Sequence, residues 1–306
     1  MGLTPELRTT YPWPLLTGLP GSTGIRLELT LKPAVVTVME FEDVLFHHNS
    51  AVMMPERPVP VGTSPTLPGQ ASAAQDVRSG LEAIAATFKY VKVNPDRSWL
   101  IAGHTDTSGD PLPNFKLSRL RARNVLHLLR GERNDWATIA ESRHVIEDYQ
   151  QILHWAGTAL LIGAGLEETK ITGSWNDATG EAARSFFAAY DGRFLDEDLL
   201  DQAAGTLGRE PTDPEPKSLP PGLYDRLEGD PRKIWPFEAW CAFYHLYDRE
   251  LARLLHGDPS ALREGRQRFR RDARSRLFVA CGESFPIFAP ALRNYRSQIN
   301  RRAGVR

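Results

Sequence analysis

Residues 99–130 constrain this chain more than any other segment. Trp99 to Ala102 is a short apolar run, the length of a buried strand. Gly103 is expected to close it. A polar loop follows, with Ser108, Gly109 and Asp110 ahead of prolines at 111 and 113. Leu117, Leu120, Asn124, Val125 and Leu128 then recur at helical spacing. The order is therefore strand, loop, helix. The unsatisfied N–H groups at such a helix start favour an anion. The loop holds an acid, Asp106, and the helix a base, Arg121, about two turns in. A carboxylate attracts an ammonium, and a guanidinium binds a carboxylate with two parallel hydrogen bonds, so the pair suits a zwitterion. A plain intramolecular ion pair fits the same two residues.

The rest of the chain sets the limits. At 306 residues it is long enough for one large domain or two ordinary ones. With 41% apolar and 25% charged residues it reads as a globular protein. A net charge of -1 gives no bulk basicity for nucleic acid. Cys241 and Cys281 are too few for a disulfide framework or a zinc site, and they read as small buried hydrophobes. No run of 18 apolar residues predicts a membrane span. The first residues show neither a basic nor a long apolar region, so no targeting segment is expected and synthesis in the cytoplasm is implied.

Taken in order, residues 1–35 read as a proline-rich arm with one added strand, Ile25 to Leu31. Val35 to Phe46 is rich in strand formers, and Pro55 to Ala74 is a long loop with five prolines. Gln75 to Lys92 carries an apolar stripe through Leu81, Ile84, Phe88 and Val91 that predicts a helix packed on the sheet. Helical periodicity over Trp136 to Trp155 predicts one further helix. A turn near Thr172 precedes another, capped by Asp177 or Thr179. Arg209 to Asp230 is an exposed loop by composition. Trp240, Phe243, Tyr244 and Tyr247 form an aromatic stripe, read as core, as a sugar- or peptide-stacking groove or as an interface anchor. The arginine-rich run 263–276 is a solvated face or a site for an anionic partner. Leu277 to Pro286 is a strand and turn. His47 and His48, with His104 and Asp106, suggest a metal only weakly, because neighbouring strand residues face opposite ways.

Gly103-His104-Thr105-Asp106 and Gly109, then Asn114, then Leu117-Ser118 and Arg121-Ala122, resemble the motif of the OmpA-like peptidoglycan-binding domains. The similarity extends to a turn around Asn49, to Gly282-Glu283-Ser284 and to the closing Asn300-Arg301-Arg302. It implies an α/β fold: a βαβαβ mixed sheet with helices packed on it, interrupted by a mostly helical insertion. The domains would be the arm at 1–35, the OmpA-like domain at 36–130 plus 273–306, and the insertion at 131–272. The resemblance also implies that Asp106 and Arg121 hold the diaminopimelate group of the cell-wall stem peptide, aided by Thr105, Asn114 and Asn49. Residues 172–190 are vaguely similar to the small three-helix peptidoglycan-binding domains, through Thr179, Ala182, Ala183 and Phe186.

The expected function is thus non-catalytic peptidoglycan binding, anchoring a protein or assembly to the wall. No nucleophile elbow, no H-E-x-x-H and no evident pair of catalytic acids points to an enzyme. No metal or cofactor is implied. The alternative is an adaptor of a secretion or contractile injection apparatus, baseplate or cap, docked through 1–35 and 131–272 and delivered to the cell envelope by that machine.

Overall fold

The computed structural model describes residues 44–56, 80–95, 99–160, 162–194, 237–255, 259–271, 278–284 and 300–305, all within the unit Thr37–Arg306. The arm at 1–35, most of the loop 55–74 and the acidic loop 209–230 lie outside them.

Four short strands make one sheet: β1 (Val44–Leu45), β2 (Ile101–His104), β3 (Phe278–Gly282) and β4 (Arg302–Val305). Their order across the sheet is β1-β4-β2-β3. β2 and β3 are parallel, whereas β4 runs antiparallel to both β1 and β2. β1, β2 and β3 therefore point the same way, and their carboxyl ends share one edge with the start of β4. The two central strands meet through Ala102 opposite Gly304 and Gly103 opposite Ala303. The strand of residues 35–46 is described only at Val44–Leu45.

Two helices pack on this sheet. α1 (Gly80–Val93) buries Leu81, Ile84, Phe88 and Val91, the predicted stripe. α2 (Pro111–Arg130) lies against β2 and β3. Gly103 does not close β2 but pairs within it. A Cβ at that position would stand 2.0 Å from the Ser118 carbonyl oxygen, so glycine lets the α2 backbone lie flush on the strand. α2 ends at Gly131, whose φ of 74° places it in the left-handed region and lets its N–H reach the His127 and Leu128 carbonyls.

The chain between α2 and β3 is helical: α3 (Arg133–Arg143), α4 (Ile146–Thr158), α5 (Asp177–Phe194), α6 (Phe237–Leu254) and α7 (Pro259–Arg271), with a short 3₁₀ turn at Glu168–Lys170. The periodic stretch read as one helix from 136 to 155 is two. Asp148 explains the break, because its carboxylate accepts from the Val145 N–H at 2.7 Å and caps a new helix start. Neither Asp177 nor Thr179 caps α5. Asn176 Oδ1 accepts from the Thr179 N–H at 2.8 Å and does so instead.

These helices share the core of the sheet. Phe88, Val125, Trp136, Trp240, Tyr247 and Phe269 belong to one continuous apolar cluster. Tyr247 donates from this cluster to the Met53 carbonyl at 2.8 Å. Trp240, Phe243, Tyr244 and Tyr247 are all fully buried, so the aromatic stripe is core, not a stacking groove. The basic run is also partly spoken for. Arg266 is buried against Asp248 and reaches the Leu128 carbonyl, while Arg270 donates to the Arg130 carbonyl and Arg268 to that of Pro95. Arginines of α7 thus donate to carbonyls at the carboxyl end of α2 and just past that of α1. Cys241 is buried and Cys281 half-buried, both as free thiols.

Candidate functional site

The edge where the strands end collects the polar side chains of the fold. It is built from the turn 47–50 after β1, the loop 105–110 after β2, residues 283–284 after β3 and Asn300–Arg301 before β4. In open α/β sheets this edge is the usual place for a ligand.

Asp106 is buried in the loop. Its Oδ1 accepts from the Ser108 hydroxyl at 2.5 Å and from the Ser108 N–H at 3.3 Å. Its Oδ2 takes an ion pair from Arg301 at 2.7 Å, and His48 lies 3.9 Å from the same oxygen. Arg301 also donates to the Phe46 carbonyl. Asp106 is therefore ion-paired with Arg301, from 195 residues further along the chain.

Arg121 has no exposed surface. Its Nε donates to the Ser50 carbonyl at 2.9 Å, one terminal nitrogen to that of His104 and the other to that of His47, both at 3.0 Å. The guanidinium also lies 5.1 Å from the centre of the Phe46 ring. Burial, and then the positive charge of Arg301, lower its pKa to about 9; Asp106 and Asp148 oppose the fall. Three of its five donors are thus committed to backbone.

The other expected residues separate by role. Asn114 is buried and spreads its amide over the Ser108 carbonyl at 2.9 Å, the Asp106 carbonyl at 3.4 Å and Glu283 at 2.8 Å. Thr105 donates its N–H to the Gly282 carbonyl, and its buried hydroxyl finds no hydrogen-bond partner among the described residues. Asn49 is exposed in the turn with φ of 61°, a conformation asparagine tolerates better than most residues. The start of α2 is a poorer anion site than its sequence suggested. Pro111 and Pro113 carry no N–H, and that of Asn114 is bonded to Asp110.

Sequence reasoning passed over Arg301 and Glu283 as site residues. Both lie in segments read as the returning part of the domain, and nothing local marks them as neighbours of Asp106. Ser118 also acquires a role, since its hydroxyl accepts from the Gly282 N–H at 3.0 Å and ties β3 to α2.

The histidines do not gather. His47 Nδ1 faces Asp148 at 2.9 Å and His104 Nδ1 faces the Ser284 carbonyl at 3.1 Å. Among the described residues, one trio, His127, Glu132 and Asp135, brings three potential metal-ligand atoms within 4.8 Å of one another. It sits at the far end of α2, where Glu132 is already held by His127 at 2.6 Å and approached by Arg130.

No family model, no curated protein and no solved structure matches this chain.

Proposed function

We propose that this protein binds peptidoglycan without catalysis, through the diaminopimelate group of the stem peptide, and anchors a protein or assembly to the cell wall. The observation that carries the reading is the Asp106–Arg301 pair at the carboxyl edge of the sheet. A zwitterion is the ligand such a pair can exchange with. Its ammonium takes the place of Arg301 on Asp106, and its carboxylate takes the place of Asp106 on Arg301. Arg121, close enough to feel the charges of both Asp106 and Arg301, adds positive field while holding the turn 47–50 in place. The buried Thr105 hydroxyl is left for a ligand or a water to satisfy. The likeness of residues 103–122 to the OmpA-like motif, and the order of strands and helices around it, support the same reading.

A small site with two charge-assisted contacts, each worth roughly 1.5–3 kcal/mol, supports affinity in the micromolar range at best. Anchoring then depends on the many copies of the stem peptide in a wall polymer or on many copies of the protein. The test is retention on purified diaminopimelate-type sacculi. The wild-type chain should sediment with them, and Asp106→Asn should not. Equal sedimentation of the two proteins would refute the proposal.

A further inference from the structure

Asp106 is ion-paired with Arg301, and Arg121 has three of its donors held by backbone carbonyls. Glu283 does not. Its carboxylate is half-buried at the end of β3, and no cation pairs with it among the described residues. It accepts one hydrogen bond, from the Asn114 amide at 2.8 Å. The same amide holds the Ser108 carbonyl, and that links Glu283 to the loop around Asp106.

The position of Glu283 is set firmly. Gly282 beside it has φ of 56° and turns the chain out of the strand. The Gly282 N–H is bonded to the Ser118 hydroxyl and its carbonyl to the Thr105 N–H. Ser284 donates its N–H to the Cys281 carbonyl and accepts from His104. The backbone on both sides of Glu283 is thus fixed. A half-buried carboxylate loses solvation, and among the described residues no cation offsets that loss.

Resting on the proposed wall-binding reading, we infer that Glu283 is a second recognition carboxylate of this site and selects ligands that bring a free ammonium to the crevice. Asp106 is the carboxylate the ligand must win from Arg301; Glu283 has no cation to give up among the described residues. An ammonium supplies three N–H donors and the positive charge that a carboxylate recognises. Acylation of the ligand amine removes the charge that Glu283 needs.

The experiment uses the full chain and two probes: a disaccharide tripeptide ending in meso-diaminopimelate, and the same compound acetylated on its terminal amine. Affinities are read by titration calorimetry for wild type and for Glu283→Gln, which keeps an oxygen to accept from Asn114. Wild type should prefer the free amine by roughly tenfold or more, as expected for one charged hydrogen bond. Glu283→Gln should show a clearly smaller preference, the remainder coming from Asp106, while binding the acetylated probe as wild type does. A variant that keeps the full preference overturns the assignment and leaves the wall-binding reading intact. A variant that binds neither probe makes Glu283 a support for Asn114 and also overturns it. Wild type that binds neither probe overturns the wall-binding reading itself.

Discussion

Arg121 and Asp148 grip the same turn from opposite sides. Arg121 donates to the carbonyls of His47 and Ser50, while the Asp148 carboxylate accepts from the Ser50 hydroxyl at 2.7 Å and meets the His47 ring at 2.9 Å. Arg121 belongs to the helix packed on the sheet, and Asp148 begins a helix of the segment between α2 and β3. The turn that borders the crevice is therefore held jointly by both parts of the chain.

Arg121→Lys should be strongly destabilising even without ligand. An ammonium cannot reach three carbonyls arranged around a planar guanidinium. Hydrogen bonds from a charged donor are worth roughly 1.5–3 kcal/mol each, and a single ammonium keeps only part of the three. The urea midpoint of the purified variant reads the effect. An unchanged midpoint would mean that the guanidinium serves the ligand alone.

Asp148→Asn should act on the same turn and more mildly, by about 1–3 kcal/mol, because one acceptor oxygen survives. The two substitutions should not add. A double-mutant cycle should give a coupling energy of about 0.5–3 kcal/mol, as for residues sharing partners. Strict additivity would show that the grips are independent.

Much of this was legible in the sequence. The helical spacing of 117–128, the strand before it and the returning strand at 277–286 all stand in the fold, within a residue or a few of their expected limits. So does the loop that carries Asp106. What could not be read was which charges meet. Asp106 and Arg121 are close in sequence, and proximity suggested a pair. The Asp106–Arg301 contact spans the whole helical segment and depends on β4 lying between β1 and β2. Several motif residues also prove to be architectural: Gly103 admits α2, and Ser118 ties down β3. The Trp136 to Trp155 periodicity ran through a helix break because α3 stops at Arg143 and Asp148 caps a new helix start just beyond it.

Gly103→Ala tests the first of those architectural roles. The added methyl would meet the Ser118 carbonyl oxygen, a backbone atom with no rotamer to move to. Either α2 lifts from β2 or β2 leaves the sheet. Overpacking of this kind costs about 1–3 kcal/mol where side chains can adjust, and more where they cannot. The variant should lose its cooperative thermal transition or melt far below wild type. A normal melt would show that α2 does not sit flush on the strand.

Asn176→Ala removes the cap of α5. The Thr179 N–H loses its acceptor, and the Thr179 hydroxyl, which accepts from Gln150 at 2.8 Å, loses the oxygen it donates to. A lost N-cap costs about 1 kcal/mol, with up to about 2 at demanding sites. Asn176→Asp should retain most of the stability, since a carboxylate accepts the same bonds and suits a helix start. If Ala and Asp variants melt alike, the cap lies elsewhere.

Glu56 gives a pH dependence whose sign is fixed. Its carboxyl accepts from Gln151 at 2.9 Å, which favours the charged form, as does His154. Burial outweighs both, with help from Glu168, and holds the pKa above its ordinary value of 4.5. Between that value and the raised one, the folded chain binds more protons at this group than the unfolded chain does. Stability from Glu56 is then fully present below the ordinary value and is lost as pH rises through the folded one. Glu56→Gln imitates the protonated form and keeps the oxygen facing Gln151. The variant should match wild type near pH 4 and exceed it near pH 7.5, where a carboxylate is ordinarily ionised. Denaturant titrations of both proteins at the two pH values supply the comparison, and the difference between the two differences cancels every other titrating group. A wild type that gains on the variant as pH rises would mean that the charged form of Glu56 is the favoured one in the fold.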